Sequence, residues 1–267
     1  MIWTCPNCRA PLQAQDSSLV CPSGHCFDIA REGYVNLLPA SRKRSRDPGD
    51  SREMIEARRR VHREEIFRPL AEAIASRLSA ACGPGAMILD LGCGEGYYTA
   101  VIQDKLADVS TYGVDIAKPA VRLAARACRQ GHFAVASAYD VPLPDTSIDA
   151  VVSVFAPLST TELNRLVKPG GHYLKVTPAP NHLWELRRLL YSDPRPHPDE
   201  RGELEGFQTE SEQVLEFEVE LEGPLLHDLL AMTPYAYSGQ RENRNKVTSL
   251  DSLKLQMAFR LALHRQC

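Results

Sequence analysis

Between residues 86 and 177 the chain alternates short apolar runs with longer stretches whose apolar residues recur every three or four positions. The runs at 86–91, 110–115, 132–137, 148–154 and 171–177 predict strands, and the stretches near 97–106, 118–129, 159–167 and 182–191 predict helices. That alternation predicts a parallel sheet with helices on both faces. Gly170 and Gly171, just after Lys168-Pro169, mark the end of the helix at 159–167. Upstream, Ile66, Leu70, Ile74 and Leu78 fall four apart and predict one helix from about Met54 to Ala80. Downstream the period changes to two. Phe217-Glu-Val-Glu-Leu-Glu alternates, and so do Leu253, Leu255, Met257, Phe259, Leu261 and Leu263. These predict an antiparallel pair added to the edge of the sheet. Residues 193–215 are polar and Pro-rich at first, and read as a long insertion near the site.

Two segments lie outside this pattern. Residues 1–37 are a cysteine-rich head, and residues 38–53 are a polar, basic linker with no apolar period. The remaining span, 54–267, is long enough for one full α/β domain. The head carries Cys5-Pro-Asn-Cys8 and, twelve residues later, Cys21-Pro-Ser-Gly-His25-Cys26. A C-x2-C knuckle aims two sulfurs at one ion, and structural zinc takes four such ligands. Spacing alone permits either His25 or Cys26 as the fourth. A closed four-ligand site leaves no open position for chemistry. So short a segment, with few large apolar groups, needs metal binding to supply its folding free energy. No signal peptide or long apolar run is seen, so a cytoplasmic chain with reduced thiols and no membrane contact is expected. The remaining cysteines, Cys82, Cys93, Cys128 and Cys267, carry no pattern that suggests chemistry.

The predicted strand at 86–91 runs into Asp90-Leu-Gly92-Cys-Gly94-Glu95-Gly96-Tyr97. A dinucleotide fingerprint would place its third glycine at Tyr97. The spacing found, with Asp90 before it, resembles motif I of class I S-adenosylmethionine-dependent methyltransferases. That donor has no pyrophosphate to cradle. It needs room for methionine and an acid for its amino group, which Asp90 supplies. A second acid is due about twenty residues on, at the next strand tip, for the ribose hydroxyls. Asp115 is in that register.

Further segments carry a more specific resemblance: Arg31-Glu-Gly-Tyr-Val-Asn-Leu-Leu-Pro39, Lys43-Arg-Ser-Arg-Asp-Pro-Gly-Asp50, Thr177-Pro178, His182-Leu-Trp-Glu-Leu186 and Met232-Thr-Pro-Tyr235. With the head and the Gly loop, they resemble the RlmA family over nearly the whole chain. Its members methylate N1 of a guanine in a hairpin of bacterial 23S rRNA. The resemblance implies zinc at Cys5, Cys8, Cys21 and His25, against Cys26, in a zinc-ribbon-like RNA-recognition domain. It implies donor contacts at Phe67, Glu95, Gly96 and His182. Of the two target guanines in the family, it favours the Gram-negative type, guanine 745. In one respect the chain departs from class I enzymes. Ser137 stands after the third strand where many carry an acid, so adenine reading passes to backbone groups, Tyr139 or Asp140.

Methyl transfer from a sulfonium is an in-line displacement, so holding donor and acceptor in near-attack geometry supplies most of the catalysis. Guanine N1 carries a proton at neutral pH, so that proton also needs an acceptor. Asp140, Glu162, His182 and Tyr235 are the candidates, because Phe155-Ala-Pro-Leu158, at the usual acceptor position, offers no acid. A guanine taken from its stem or loop would stack on Phe155 or Tyr235. The net charge of −3 excludes a global basic field, so RNA must be met by a local patch. Arg42, Lys43, Arg44, Arg46, Arg52, Arg58, Arg59 and Arg60 form such a strip, which Arg187-Arg188 would extend. Two other readings are a small-molecule methyltransferase and a non-catalytic RNA-binding or ribosome-assembly protein. The strip and head weigh against the first, and the intact Asp90-to-Asp115 set against the second. One small head gives limited grip on a hairpin, which raises a homodimer as an expectation.

Overall fold

A computed structural model describes residues 1–39, 48–106, 108–157, 159–199, 203–236 and 241–267. The head folds as β1 (Gln13–Gln15), β2 (Ser18–Val20) and β3 (Cys26–Asp28), a small antiparallel sheet. Then follow β4 (Val35–Asn36), α1 (Arg52–Arg63), α2 (Arg68–Ala81), β5 (Met87–Leu91), α3 (Tyr97–Lys105), β6 (Ser110–Asp115), α4 (Lys118–Ala127), β7 (His132–Val135) and β8 (Ile148–Val154). The chain continues through α5 (Thr160–Leu166), β9 (Val167–Pro178), α6 (Trp184–Leu190), β10 (Phe207–Glu222), α7 (Gly223–Ala231), α8 (Arg241–Thr248) and β11 (Ser252–Gln266).

Eight strands form one sheet in the order β10-β11-β9-β8-β5-β6-β7-β4. From β4 to β9 every pairing is parallel, and only β11 runs against its neighbours. β5 lies between β6 and β8, so the chain winds one way from it and later the other. In such sheets the ligand crevice opens at the carboxyl ends of the strands beside this reversal. The expected antiparallel pair is present at the β10–β11 edge.

Alternation along β5 divides the core. Ile88 joins a cluster with Leu70, Ile74 and Leu78 of α2, Leu186 of α6, Leu229 of α7 and Phe259 of β11. Leu89 and Leu91 face the other way, into a cluster that contains Leu163 and Leu166 of α5 together with Trp3, Cys5, Leu12, Leu19 and Cys21 of the head. The head therefore shares the core of the sheet. Trp3 is fully buried, its ring edge-on to Tyr112 of β6 at 5.3 Å. Thr4 N donates to Pro142 O at 2.9 Å, and Arg9 forms an ion pair with Asp140.

Three expectations need correction. The single helix over 54–80 is two, α1 and α2, separated by Glu64–Phe67 with Glu65 at φ +57°. Pro69 is the reason: inside a continuous helix it would lose a backbone hydrogen bond and clash with the preceding turn, but it is tolerated in the first turn of α2. The helix at 159–167 does not extend to Gly170. It stops at Leu166, and β9 begins at once with a bulge, Ile148 pairing with Val167 but Ala150 with His172. Residues 193–215 are not all insertion, because β10 starts at Phe207.

Removing a buried tryptophan side chain costs about 3–5 kcal/mol. Trp3→Ala is expected to lower the denaturant midpoint of the whole chain, with loss of β-sheet signal and release of metal from the head occurring together. A variant that loses only head structure, leaving the midpoint of the sheet in place, would show that the two cores are independent.

Candidate donor site and zinc centre

The loop after β5 occupies the reversal point. Gly92, Gly94 and Gly96 have φ of +81°, +54° and +83°, conformations that L side chains rarely adopt. A Cβ on Gly92 would lie 2.5 Å from Ala156 Cβ, and one on Gly96 would lie 2.8 Å from Ala124 Cα. The close packing that a third dinucleotide glycine provides thus falls at Gly96, against α4.

Three carboxylates converge on this loop. Asp90, at the end of β5, is buried and accepts a hydrogen bond from Thr99 Oγ1 at 2.5 Å. Burial, with the charges of Asp115 and Glu95 adding to it, pushes its pKa up to about 7 against the pull of Thr99. Asp115, ending β6, accepts from Gly94 N at 3.0 Å and Ala117 N at 2.8 Å. Burial raises its pKa while those two bonds oppose. Burial also works to raise Glu95, but His62 Nδ1, 2.5 Å from Glu95 Oε1, and the charge of Arg58 leave it below the usual carboxylate value.

Arg58 and His62 lie one turn apart on α1, on the face turned towards the loop. Arg58 Nη2 donates to Asp50 at 2.5 Å, and its Nη1 is 3.5 Å from where a Gly94 Cβ would be. His62 stacks on Tyr97 at 4.2 Å and meets Phe67 edge-on at 5.2 Å. Sequence reasoning placed Arg58 in the RNA strip and passed over His62. The i, i+4 spacing of the two was the available signal. Of the other strip residues, Arg60 forks onto Asp228 with two 2.7 Å bonds, and Arg52 pairs with Glu56. Arg59 is exposed. Arg42, Lys43, Arg44 and Arg46 lie outside the described residues.

An aromatic seam runs on from there. Phe67, buried at the start of α2, is 5.8 Å from Phe259, which is 4.7 Å from His182 and 6.0 Å from Phe155. Phe155 follows β8 with φ +54° and its side chain half-exposed. A bulky residue held at positive φ marks backbone strain retained by its surroundings. Beyond His182 lies His197, 6.1 Å away, whose Nε2 is 2.7 Å from Tyr235 Oη, and the charge of Arg187 of α6 acts on both histidines. Asp140 and Glu162 sit elsewhere. Asp140 faces Arg9 of the head, while Glu162 accepts from Val141 N at 2.6 Å and pairs with Arg165 at 2.7 Å. Ser137 Oγ accepts from Tyr139 N at 3.2 Å, and Tyr139 is exposed.

In the head, the ligand atoms of Cys5, Cys8, Cys21 and His25 lie within 4.8 Å of one another. His25 Nδ1 is 3.3 Å from Cys21 Sγ and 3.5 Å from Cys5 Sγ, and Cys8 and Cys21 sulfurs are 3.6 Å apart. Tetrahedral zinc with bonds of about 2.3 Å places its sulfurs roughly 3.8 Å apart, so the cluster fits the ion. Three thiolates and an imidazole are the donor set that structural zinc takes. Cys26 is exposed on β3 and is not among the four.

A parallel sheet reversing at β5, a strained glycine loop there with acids at two strand tips, and a closed Cys3His centre define a class I S-adenosylmethionine-dependent methyltransferase fold joined to a zinc ribbon. Comparison with known proteins agrees. Residues 3–46 match the N-terminal zinc-ribbon model of RlmA, and residues 88–171 match a methyltransferase domain. A protein of Bacillus subtilis, YxjB, provisionally named a 23S rRNA (guanine-N(1)-)-methyltransferase, is 34% identical over 95% of this chain and 92% of its own length. A Streptomyces fradiae protein named 23S rRNA (guanine(748)-N(1))-methyltransferase is 40% identical over 68% of this chain, an alignment that spans 65% of that relative. The chain belongs to the RlmA family.

Metal content tests the ligand set. Cys26→Ser is expected to keep one zinc per chain, and His25→Ala to lose it along with several degrees of thermal midpoint. Loss of zinc in Cys26→Ser, with retention in His25→Ala, would reverse the assignment.

Proposed function

We propose that this chain transfers a methyl group from S-adenosylmethionine to N1 of a guanine in a hairpin of 23S rRNA. The observation that carries the reading is the RlmA-type zinc ribbon packed into the core of a sheet whose donor loop is intact. The bound donor would supply an electrophilic methyl on a sulfonium. Asp90 would hold its ammonium and Asp115 its ribose hydroxyls, with the backbone from Gly92 to Gly96 against the methionine portion. Glu95 and Phe67 would complete the wall, with His182 at the boundary between donor and acceptor. Phe155, strained and half-exposed at the mouth, offers the stacking face for an extruded base. The ribbon, the basic linker around Arg42, Lys43, Arg44 and Arg46, and exposed Arg59 would meet the phosphates. The S. fradiae relative carries guanine 748 in its name, whereas the sequence resemblance favours guanine 745. Function on rRNA implies a cytoplasmic protein.

Incubation with labelled donor and rRNA from a strain lacking the modification should give a primer-extension stop at one of these two guanines. Label in metabolites but none in RNA would instead support a small-molecule acceptor.

Donor affinity should also depend on pH with a defined sign. Asp90 titrates near 7 in the free protein, and a bound ammonium favours its ionised form. Affinity for S-adenosylhomocysteine is therefore expected to rise as pH increases from 6 to 8, by up to about tenfold per unit below pH 7. Asp90→Asn should flatten this dependence. An equal slope in calorimetric titrations of both proteins would remove Asp90 from the role.

A further inference from the structure

The acceptor side of the seam holds a guanidinium whose buried donors are not all used. Arg187 Nε and Nη1 are buried, and among the described residues neither has a hydrogen-bond partner. Leaving such donors unpaired is costly, the more so for a charged group. Two histidines and a tyrosine lie within the field of this guanidinium, and all three are neutral at pH 7. Burial pushes His182 down to about 3 and His197 to about 4, Arg187 adding to both, and burial pushes Tyr235 up to about 12. Among the described residues, no carboxylate faces any of the three closely enough to oppose these shifts.

The hydrogen bonding of His182 narrows its role. Its Nδ1 faces Ala258 N at 3.2 Å, and a backbone N–H can only donate, so Nδ1 carries the lone pair. The neutral ring then bears its proton on Nε2. That nitrogen can donate a hydrogen bond but cannot take a proton. With Asp140 and Glu162 tied to Arg9 and Arg165, the acceptor side presents, among the described residues, donors, a cation and the stacking face of Phe155, and no carboxylate placed to act as a base.

Such a surface fits a flat anion. We propose that Arg187 binds the N1–O6 edge of the target guanine as its conjugate base, with His182 Nε2–H as a second donor, so that the enzyme favours the deprotonated base without a carboxylate to receive the proton. This rests on the proposed guanine-N1 activity. The N1–H bond breaks with its electron pair left on the ring, the negative charge spreads onto O6, and the proton passes to water at the open mouth beside Phe155. N1 then attacks the methyl group, the carbon–sulfur bond breaks towards sulfur, and a neutral thioether and a neutral methylguanine remain.

The test uses the full chain and the rRNA hairpin in single-turnover assays across pH 6.5 to 9.5. Arg187→Gln is expected to lower the rate at pH 7 by at least about tenfold and to recover towards wild type as pH rises, because hydroxide then does what the cation did. Affinity for S-adenosylhomocysteine should not change. Arg187→Lys should fall between the two, which separates loss of charge from loss of fold. Binding gives a second readout. A hairpin with 6-thioguanosine at the target, whose N1–H is more acidic than that of guanosine, should bind wild type more tightly than the guanosine hairpin at about pH 8.5, and Arg187→Gln should erase that preference. Equal, pH-independent loss in both variants would overturn the proposal. So would weaker binding of both hairpins with a salt slope reduced by about one, which would make Arg187 a phosphate contact. Absence of N1-methylguanine with the wild-type chain would instead defeat the functional reading on which the proposal stands.

Discussion

Charge balance at the end of β5 governs how this molecule is put together. Asp90, Glu95 and Asp115 are brought into a small, poorly hydrated volume by strand tips that the sheet topology fixes. Buried carboxylates must be neutralised, hydrogen-bonded or paired. All three solutions appear side by side. Asp90 is raised towards neutrality, Asp115 is held by two backbone N–H groups, and Glu95 is paired with His62. Arg58 and His62, which face these carboxylates, come from α1, which lies outside the strand–helix repeat. Because Arg60 of that helix forks onto Asp228 of α7, the segment leaving the basic linker is tied both to the donor loop and to the helix that follows β10.

Phe259 occupies the middle of the other essential element. It touches Phe67 on the donor side and His182 and Phe155 on the acceptor side. One ring on the reversed strand β11 therefore helps set the distance between the two halves of the reaction. Transfer between a bound sulfonium and a ring nitrogen depends steeply on that distance. The antiparallel edge would thus form part of the proposed site, although its sequence reads only as a strand.

The repeat from 86 to 177 was legible because strands apolar on both faces and amphipathic helices have different periods. The acids at Asp90 and Asp115 were legible because their spacing follows from the length of one strand–helix unit. The zinc cluster was legible in its spacing, with the fourth ligand left open until geometry set His25 beside Cys5 and Cys21 and left Cys26 exposed. What was missed depends on contacts far apart in sequence. Nothing local to Arg58 says that it turns inward to Asp50 rather than outward to RNA. Nothing local to Arg187 says that its donors are buried. The break between α1 and α2 was written in Pro69, but the four-residue spacing of Ile66, Leu70, Ile74 and Leu78 masked it.

The seating of the ribbon on the sheet has a consequence for biosynthesis. Trp3 and Thr4 leave the ribosome first, yet the surfaces they rest on, Tyr112 and Pro142, follow more than a hundred residues later. At translation speeds of about 5–20 residues per second, that is a delay on the order of ten seconds. During it the four metal ligands are already complete and able to capture an ion, while the tryptophan has nowhere to dock. Zinc capture can thus come early in the life of the chain, with a metallated ribbon waiting for its seat. A cell short of zinc would meet the shortage as unfinished, aggregation-prone nascent protein before it met it as a lack of finished protein.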